Sequence, residues 1–135
     1  MKSIKFAEET RRQSKTKEIN MTKEEFVKIL KIVVVNNSVK AVETNLEKPP
    51  GRQPQQKLVE MSNWFNSLES ENKIFVKKVI EGSVEMAVFK FFCVLDGVSA
   101  IESGQEKGEL ILKYEKEEVS IWLNNPDEEY LHNML

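Results

Sequence analysis

The chain has 135 residues, of which 40% are hydrophobic and 31% are charged, and its formal net charge is −2. This length and composition are typical of one soluble globular domain and exclude a disordered, collagenous or two-domain chain. The sequence has a single cysteine, Cys93, and a single histidine, His132, which excludes a disulfide framework and a multi-cysteine or multi-histidine metal site. We therefore expect a cytoplasmic protein without a cofactor or a metal.

The charges are unevenly distributed along the chain. Residues 1–20 carry six basic and three acidic side chains, whereas residues 101–135 carry nine acidic side chains and three lysines. An acidic body argues against nucleic acid as the partner. The most apolar run, Val84 to Leu95, is too short to span a membrane, and the N-terminus lacks the apolar core of a secretory signal. We predict a disordered polar extension over residues 1–20 and a single domain over residues 21–135.

Two helices are predicted in the first half of the domain. Thr22 and Glu25 have the spacing of a capping box, so the first helix begins at Thr22, and Asn36-Asn37-Ser38 is a candidate break within it. Prolines make the segment from Pro49 to Pro54 a loop. The second helix runs from about Gln55 to Leu68, and we expect Trp64 on this helix to pack in the core.

The third predicted helix is the most apolar element. Ser70 is its candidate N-cap, and Asp96-Gly97 is a typical helix end, because glycine adopts the left-handed conformation that closes a helix. Between Val84 and Leu95 only Glu85 and Lys90 are charged. We therefore expect protein to surround this segment and Cys93 within it to be buried and unreactive.

A small antiparallel meander and a short helix complete the predicted fold. Apolar side chains alternate over residues 110–114 and 119–123, which predicts a β-hairpin whose turn is Glu115 to Glu118. Val98 to Glu102 is a candidate third strand, and Asn125-Pro126 is a candidate start for the terminal helix. The predicted class is α+β: N-terminal helices, then a meander of two or three strands, then a short C-terminal helix.

No motif for phosphate, dinucleotide, zinc or nucleophilic serine chemistry occurs in the sequence, so we predict no catalytic residue. Arg52, the only arginine beyond residue 20, lies in the proline loop. It either clamps an internal carboxylate, Asp96 or Glu102, which we favour, or faces an external acidic ligand. For His132, a helix-end role is favoured over that of a general base. The candidate residues for binding a ligand or partner are Arg52, Trp64, Asp96, Glu102, Trp122, which we expect to be partly exposed, and His132.

Five short stretches resemble a family of small bacterial proteins to which no function is assigned. The family shares a PPGR loop, a tryptophan-containing helix, a DGV turn and an LHD-like C-terminus. The matching stretches, within residues 21–135, are PPGRQP, SNWFNSL, VFKFFCVLDGVSAIE, ELILKY and LHNML. This chain has Asn133 where the family pattern has an aspartate. The resemblance implies a stand-alone bacterial domain and no particular reaction.

Three functions stay open, and a binding protein is favoured over an enzyme. The first is a small cytoplasmic binding protein that acts on a macromolecular partner, which we expect to be another protein. This chain would then be an immunity- or anti-defence-type inhibitor, because an acidic surface steers a basic protein toward it. The second is a small-ligand sensor or enzyme with a polar pocket around Arg52, Asp96, Glu102 and His132, which requires these residues to converge. The third is a structural homodimer that buries Trp122 or the hairpin edge.

Overall fold

The computed structural model describes residues 20–135. The predicted polar extension lies, apart from residue 20, outside the described residues. The elements are α1 (Lys23–Leu30), a π-helical segment (Lys31–Asn36), α2 (Asn37–Glu47), α3 (Gln56–Ser67), α4 (Ser70–Leu95), β1 (Lys113–Lys116), β2 (Val119–Trp122) and α5 (Leu131–Met134). Helices precede a small antiparallel sheet and a short helix follows it, so the predicted α+β class is confirmed.

The first helix begins where the capping box predicts and then continues past the predicted break. The side chain of Thr22 accepts a hydrogen bond from the backbone N–H of Glu25 at 3.1 Å. The break at Asn36-Asn37-Ser38 was a wrong prediction, since Asn36 and Asn37 keep helical dihedral angles and the chain passes through a π-helical turn instead. A π turn changes which side chains face inward. In this segment Val35 is buried whereas Ile32 and Val33 are more than half exposed.

Helix α3 is attached to the end of α2. The predicted loop from Pro49 to Pro54 separates the two helices. The side-chain amide of Asn66 donates to the backbone carbonyl of Glu47 at 3.0 Å, and the hydroxyl of Ser62 donates to the same carbonyl. This carbonyl lies in the last turn of α2, where carbonyl groups lack partners within their own helix. Helix α3 therefore packs mainly on α2.

Helix α4 is long, and one side of it is open. Its N-cap is Glu69 and no side chain caps it, so the prediction of Ser70 as the cap was wrong. It ends as predicted at Asp96-Gly97: Leu95 is its last residue, Asp96 is the C-cap, and Gly97 has a φ of +76°. Phe92 and Cys93 are buried, but Met86 is 56% and Phe91 is 61% exposed. The expectation that protein surrounds Val84 to Leu95 is therefore wrong, because the elements packed on this helix cover only part of its circumference.

The sheet is a two-stranded hairpin. Tyr114 pairs with Ile121 and Lys113 with Trp122, and the turn lies at residues 117–118, inside the predicted one. The candidate strand from Val98 to Glu102 is irregular. Glu102, at the end of this segment, does not extend the sheet. Its carboxylate accepts a hydrogen bond from the backbone N–H of Gly108 at 2.7 Å and so closes a loop.

The core lies where α1, α4 and α5 meet. Val27, Phe92 and Leu131 form its buried centre, and Leu112 packs against it from the segment before β1. The terminal helix begins later than predicted, at Leu131. The side chain of Asn125 accepts a hydrogen bond from the backbone N–H of Asp127, which makes a local turn there and not a helix start.

Candidate functional site

Asp96 and His132 are the two candidate residues that the fold brings into direct contact. The backbone N–H groups of Leu131 and His132 donate to the Asp96 carboxylate at 3.1 and 2.9 Å, and His132 Nδ1 lies 2.8 Å from Oδ2 of Asp96. The Asp96 side chain is only 1% exposed. The first N–H groups of a helix have no partner within that helix, so Asp96, at the end of α4, caps α5.

The surroundings of His132 are those of a packed structural residue. Its ring stacks on Tyr130 and meets Phe89 edge to face. Within residues 20–135 no serine, threonine or cysteine side chain hydrogen-bonds to His132. A carboxylate and histidine pair that performs covalent catalysis orients the histidine toward a nucleophile. Within the described residues this pair lacks one, and its contacts attach α5 to the end of α4.

Arg52 does not reach either carboxylate that we considered as its partner. It is exposed in the loop between α2 and α3, and in the described part of the chain it forms no ion pair. Asp96 is occupied by α5 and Glu102 by Gly108. The predicted internal clamp is therefore absent from the described structure.

The four residues of the predicted polar pocket do not share one cavity. A cavity of about 300 Å³ next to the end of α4 is lined by Asp96 and Glu102, whereas Arg52 and His132 do not line it. The convergence that a sensor or enzyme site of these residues requires is thus missing.

The two tryptophans have different environments. Trp122 is partly exposed, as expected, and its indole N–H donates to the side-chain oxygen of Asn124 at 2.9 Å. Trp64 is 54% exposed, so the expectation that it packs in the core was wrong. The reason is that Phe65, the next residue, occupies the core-facing side of α3, which leaves Trp64 facing α4.

Trp64 lies on the rim of a large apolar groove between α3 and α4, with α2 as its floor. The groove has a volume of about 640 Å³, and its lining residues are Val42, Asn45, Leu46, Leu58, Met61, Trp64, Phe75, Val76, Val79 and Ile80. Asn45 is the one polar residue among them. We call this surface the apolar groove. It exists because α3 and α4 both pack on α2 and leave their facing apolar sides apart from each other.

A second concavity lies further along α4. It has a volume of about 500 Å³ and is lined by Lys31, Val35, Gly82, Glu85, Met86, Phe89 and Leu135. We call it the distal groove. Helix α4 thus contributes side chains to both grooves.

Sequence reasoning missed the apolar groove, although it contains one candidate residue, Trp64. The expectation of burial applied only to Val84 to Leu95, whereas the α4 residues that line the groove lie earlier, between Phe75 and Ile80. Helix α4 has 26 residues and is about 39 Å long at 1.5 Å per residue. The short helices of a small domain cover only part of such a length, so an apolar side stays exposed.

In residues 20–135 no three His, Cys, Asp or Glu side chains are grouped as a metal site requires. None of the helices in the described part of the chain has the length and apolar character needed to cross a bilayer. Protein-family models, curated proteins and solved structures were compared with the chain, and none matches it.

Proposed function

We propose that this chain is a binding protein whose partner is another protein, and that the partner inserts an apolar helix into the apolar groove. The observation that supports this proposal most is the exposure of large side chains along the groove, where Trp64, Phe75 and Val79 are 54, 55 and 67% exposed. Contiguous exposed apolar surface of this kind is typical of a macromolecular contact. Aromatic residues contribute disproportionately to the binding free energy of such contacts.

The shape and chemistry of the apolar groove favour a helix over a small ligand. Two roughly facing helices with an apolar floor form the kind of channel into which amphipathic helices bind. Asn45 is the one polar lining residue, so a polar metabolite would lose its hydrogen bonds to water and regain few. Small-molecule sites usually combine apolar walls with several convergent polar groups. For this reason we place the sensor or enzyme function behind the binding function.

The acidic C-terminal third supports a finer version of this proposal, an immunity- or anti-defence-type inhibitor in the cytoplasm. Glu115, Glu117 and Glu118 are exposed in and beside the hairpin, and an acidic surface accelerates association with a basic protein. The single free thiol, Cys93, suits a reducing compartment. If the partner is the toxic product of a neighbouring gene, expression of this chain together with that product should restore the growth that the product inhibits. Reversal of the charges of Glu115, Glu117 and Glu118 should abolish this rescue. Rescue that is unchanged by charge reversal would reject the acidic surface.

A photoreactive amino acid in place of Val79 tests the apolar groove in cells. We expect irradiation to give a discrete cross-linked protein product, because position 79 lies on the rim of the groove. The same amino acid in place of Val33, which is also more than half exposed but lies on the π-helical segment and lines neither groove, is the matched control and should give no such product. Identification of the product then allows the purified partner to be titrated.

Trp64→Glu supplies the second part of this test. The side chain is exposed, so the substitution should leave the fold intact, but it places a charge in an apolar contact. We expect the product from position 79 to disappear and the affinity of the purified partner to fall by about ten-fold or more. Products that are identical from positions 79 and 33, or that persist in Trp64→Glu, would contradict the proposal.

A further inference from the structure

One side of α4 has the residue spacing of a helix-pairing surface. Phe75, Val79, Gly82 and Met86 follow one another at intervals of four, three and four residues, and all four are exposed. This alternation aligns side chains along the line on which two helices pack lengthwise. We call these four residues the α4 seam. Phe75 and Val79 line the apolar groove, whereas Gly82 and Met86 line the distal groove, so the seam connects the two.

Within residues 20–135, no contact explains why position 82 is a glycine. It lies in the middle of a 26-residue helix, where glycine is less favourable than alanine. Apart from the adjacent residues and the nearby backbone of α4 itself, no atom of the described residues lies within 4 Å of the position that a Cβ would take, so packing among these residues does not demand a glycine. A glycine in the middle of an apolar seam does allow another backbone or a large side chain to approach closely.

The two halves of the seam complement each other in size. When two α4 helices pack antiparallel with a two-fold axis between Val79 and Gly82, Phe75 of one copy faces Met86 of the other. Val79 then faces Gly82, so a larger side chain fits beside a smaller one. Each contact occurs twice, as a two-fold interface requires. An unrelated helix would account for the exposure of the seam but not for this match between its halves.

The charges beside the seam also match in this arrangement. Lys78 and Glu85 follow each other at seven residues on the same side of the seam, about 10 Å apart along the helix axis, and they form no ion pair with each other. The ammonium group of Lys78 lies 5.5 Å from the centre of the Phe75 ring, and Glu85 lines the distal groove. In an antiparallel pair, Lys78 of each copy faces Glu85 of the other.

We infer that the helix bound at the apolar groove is α4 of a second copy of this chain, in an antiparallel pair of α4 seams. This inference rests on the part of the proposed function that places a helix in the apolar groove, and it identifies that helix as belonging to a second copy instead of a different protein. This dimer differs from a homodimer formed through Trp122 or the hairpin edge. Its contact lies on α4 and includes both grooves, whereas Trp122 lies on β2. The dimer covers the seam residues that are exposed in a single chain.

Charge exchange measured by sedimentation equilibrium tests the pairing. The wild type should be a dimer, and Lys78→Glu and Glu85→Lys should each raise the dimer dissociation constant about ten-fold or more, because each places two like-charge pairs at the interface. The double variant Lys78→Glu/Glu85→Lys should return close to the wild-type value. Because the two residues do not contact within one chain, this rescue requires a second copy. Single variants without effect, or a double variant weaker than both, would overturn the arrangement.

Val79→Glu and Val119→Glu form a matched pair of controls. Both replace an exposed valine, so both chains should stay folded by circular dichroism, but only Val79→Glu should be monomeric. A wild type that stays monomeric up to millimolar concentration would overturn self-pairing. The cross-link from position 79 separates the two proposals in that case: a product with a different protein would leave the proposed function standing, whereas the absence of any product would remove both.

Discussion

Asn124 is the residue at which the polar contacts near the end of α4 converge. Its side-chain N–H₂ donates to the carbonyls of Leu95 and Leu110, and its side-chain oxygen accepts from the backbone N–H of Leu112 and the indole N–H of Trp122. These bonds join α4, the segment before β1 and the end of β2. A buried amide whose hydrogen-bonding groups are all used rigidifies the site that it connects.

Asn124→Ala should be strongly destabilising. The substitution leaves several buried donors and acceptors without partners, each at a cost of about 1–3 kcal/mol, so we expect the free energy of unfolding to fall by about 2–4 kcal/mol. Urea denaturation measures this change. Asn63→Ala is the control, since Asn63 is exposed on α3 and should change stability by less than about 0.5 kcal/mol. Equal effects of the two substitutions would contradict the role of Asn124.

Asp96→Ala should release α5. Two backbone N–H groups and the His132 ring lose their acceptor, and we expect a loss of about 2–3 kcal/mol in the free energy of unfolding. Hydrogen exchange should also accelerate at the amides of Leu131 and His132. Asp127→Ala, at an exposed carboxylate in the preceding turn, should leave that exchange unchanged. Unaltered protection in Asp96→Ala would reject the cap.

At the scale of elements, α1 is fastened to the segment that precedes α5 by Lys23. This lysine is buried, and its ammonium group donates to the backbone carbonyls of Glu129 at 2.8 Å and Asn125 at 3.2 Å. The Glu128 carboxylate lies 3.5 Å away. A cation in the first turn of a helix is unfavourable for that helix alone. The position of Lys23 is therefore explained by the tertiary contact it makes.

Lys23→Ala should loosen this contact and Lys28→Ala should not. We expect Lys23→Ala to lower the free energy of unfolding by about 2–3 kcal/mol, because the charge-assisted hydrogen bonds from a buried lysine to two backbone carbonyls are lost. Lys28 is exposed and meets Glu25 only at 4.0 Å, so its replacement should change stability by less than about 0.5 kcal/mol. Chemical denaturation of the two variants distinguishes them, and similar midpoints would contradict the account.

The boundaries of these elements were predictable where a local signal determines them. The cap at Thr22, the proline loop and the helix end at Gly97 depend on residues within a few positions of each other. The cap of α5 was not predictable in this way, because Asp96 lies 35 residues before Leu131. Asn125 is a local candidate for the cap. The Asp96 carboxylate, which the tertiary fold brings close, accepts hydrogen bonds from the first N–H groups of α5 instead.

At the scale of the whole molecule, the apolar composition of residues 84–95 indicated that this part of α4 packs against other protein. The composition did not indicate which surface it packs against. The same pattern of residues suits a helix buried in its own domain and a helix buried against another chain. Trp64 illustrates the limit: its spacing on α3 is compatible with the core, and only the position of Phe65 in three dimensions shows that it faces the groove. The candidate site could therefore be recognised only from the packing of α2, α3 and α4.

Pairing of the α4 seams makes the stability of the whole molecule depend on concentration. Association stabilises the folded state by mass action, so the melting temperature of the wild type should rise as the chain concentration rises. In Val79→Glu the melting temperature should be independent of concentration. Differential scanning calorimetry over a dilution series measures both. A wild type whose melting temperature does not vary would contradict the dimer.

Hydroxyl-radical labelling of the purified chain at increasing concentration tests most directly whether protein covers this side of α4. Mass spectrometry reads the labelling rate at each residue separately. Phe91 serves as the reference, because it is as exposed as Met86 but lies about half a turn from the seam, nine residues beyond Gly82. We predict that labelling of Trp64, Phe75 and Met86 slows as the concentration rises while that of Phe91 stays constant. Rates at the seam that do not change with concentration, or that fall together with the rate at Phe91, would contradict the account.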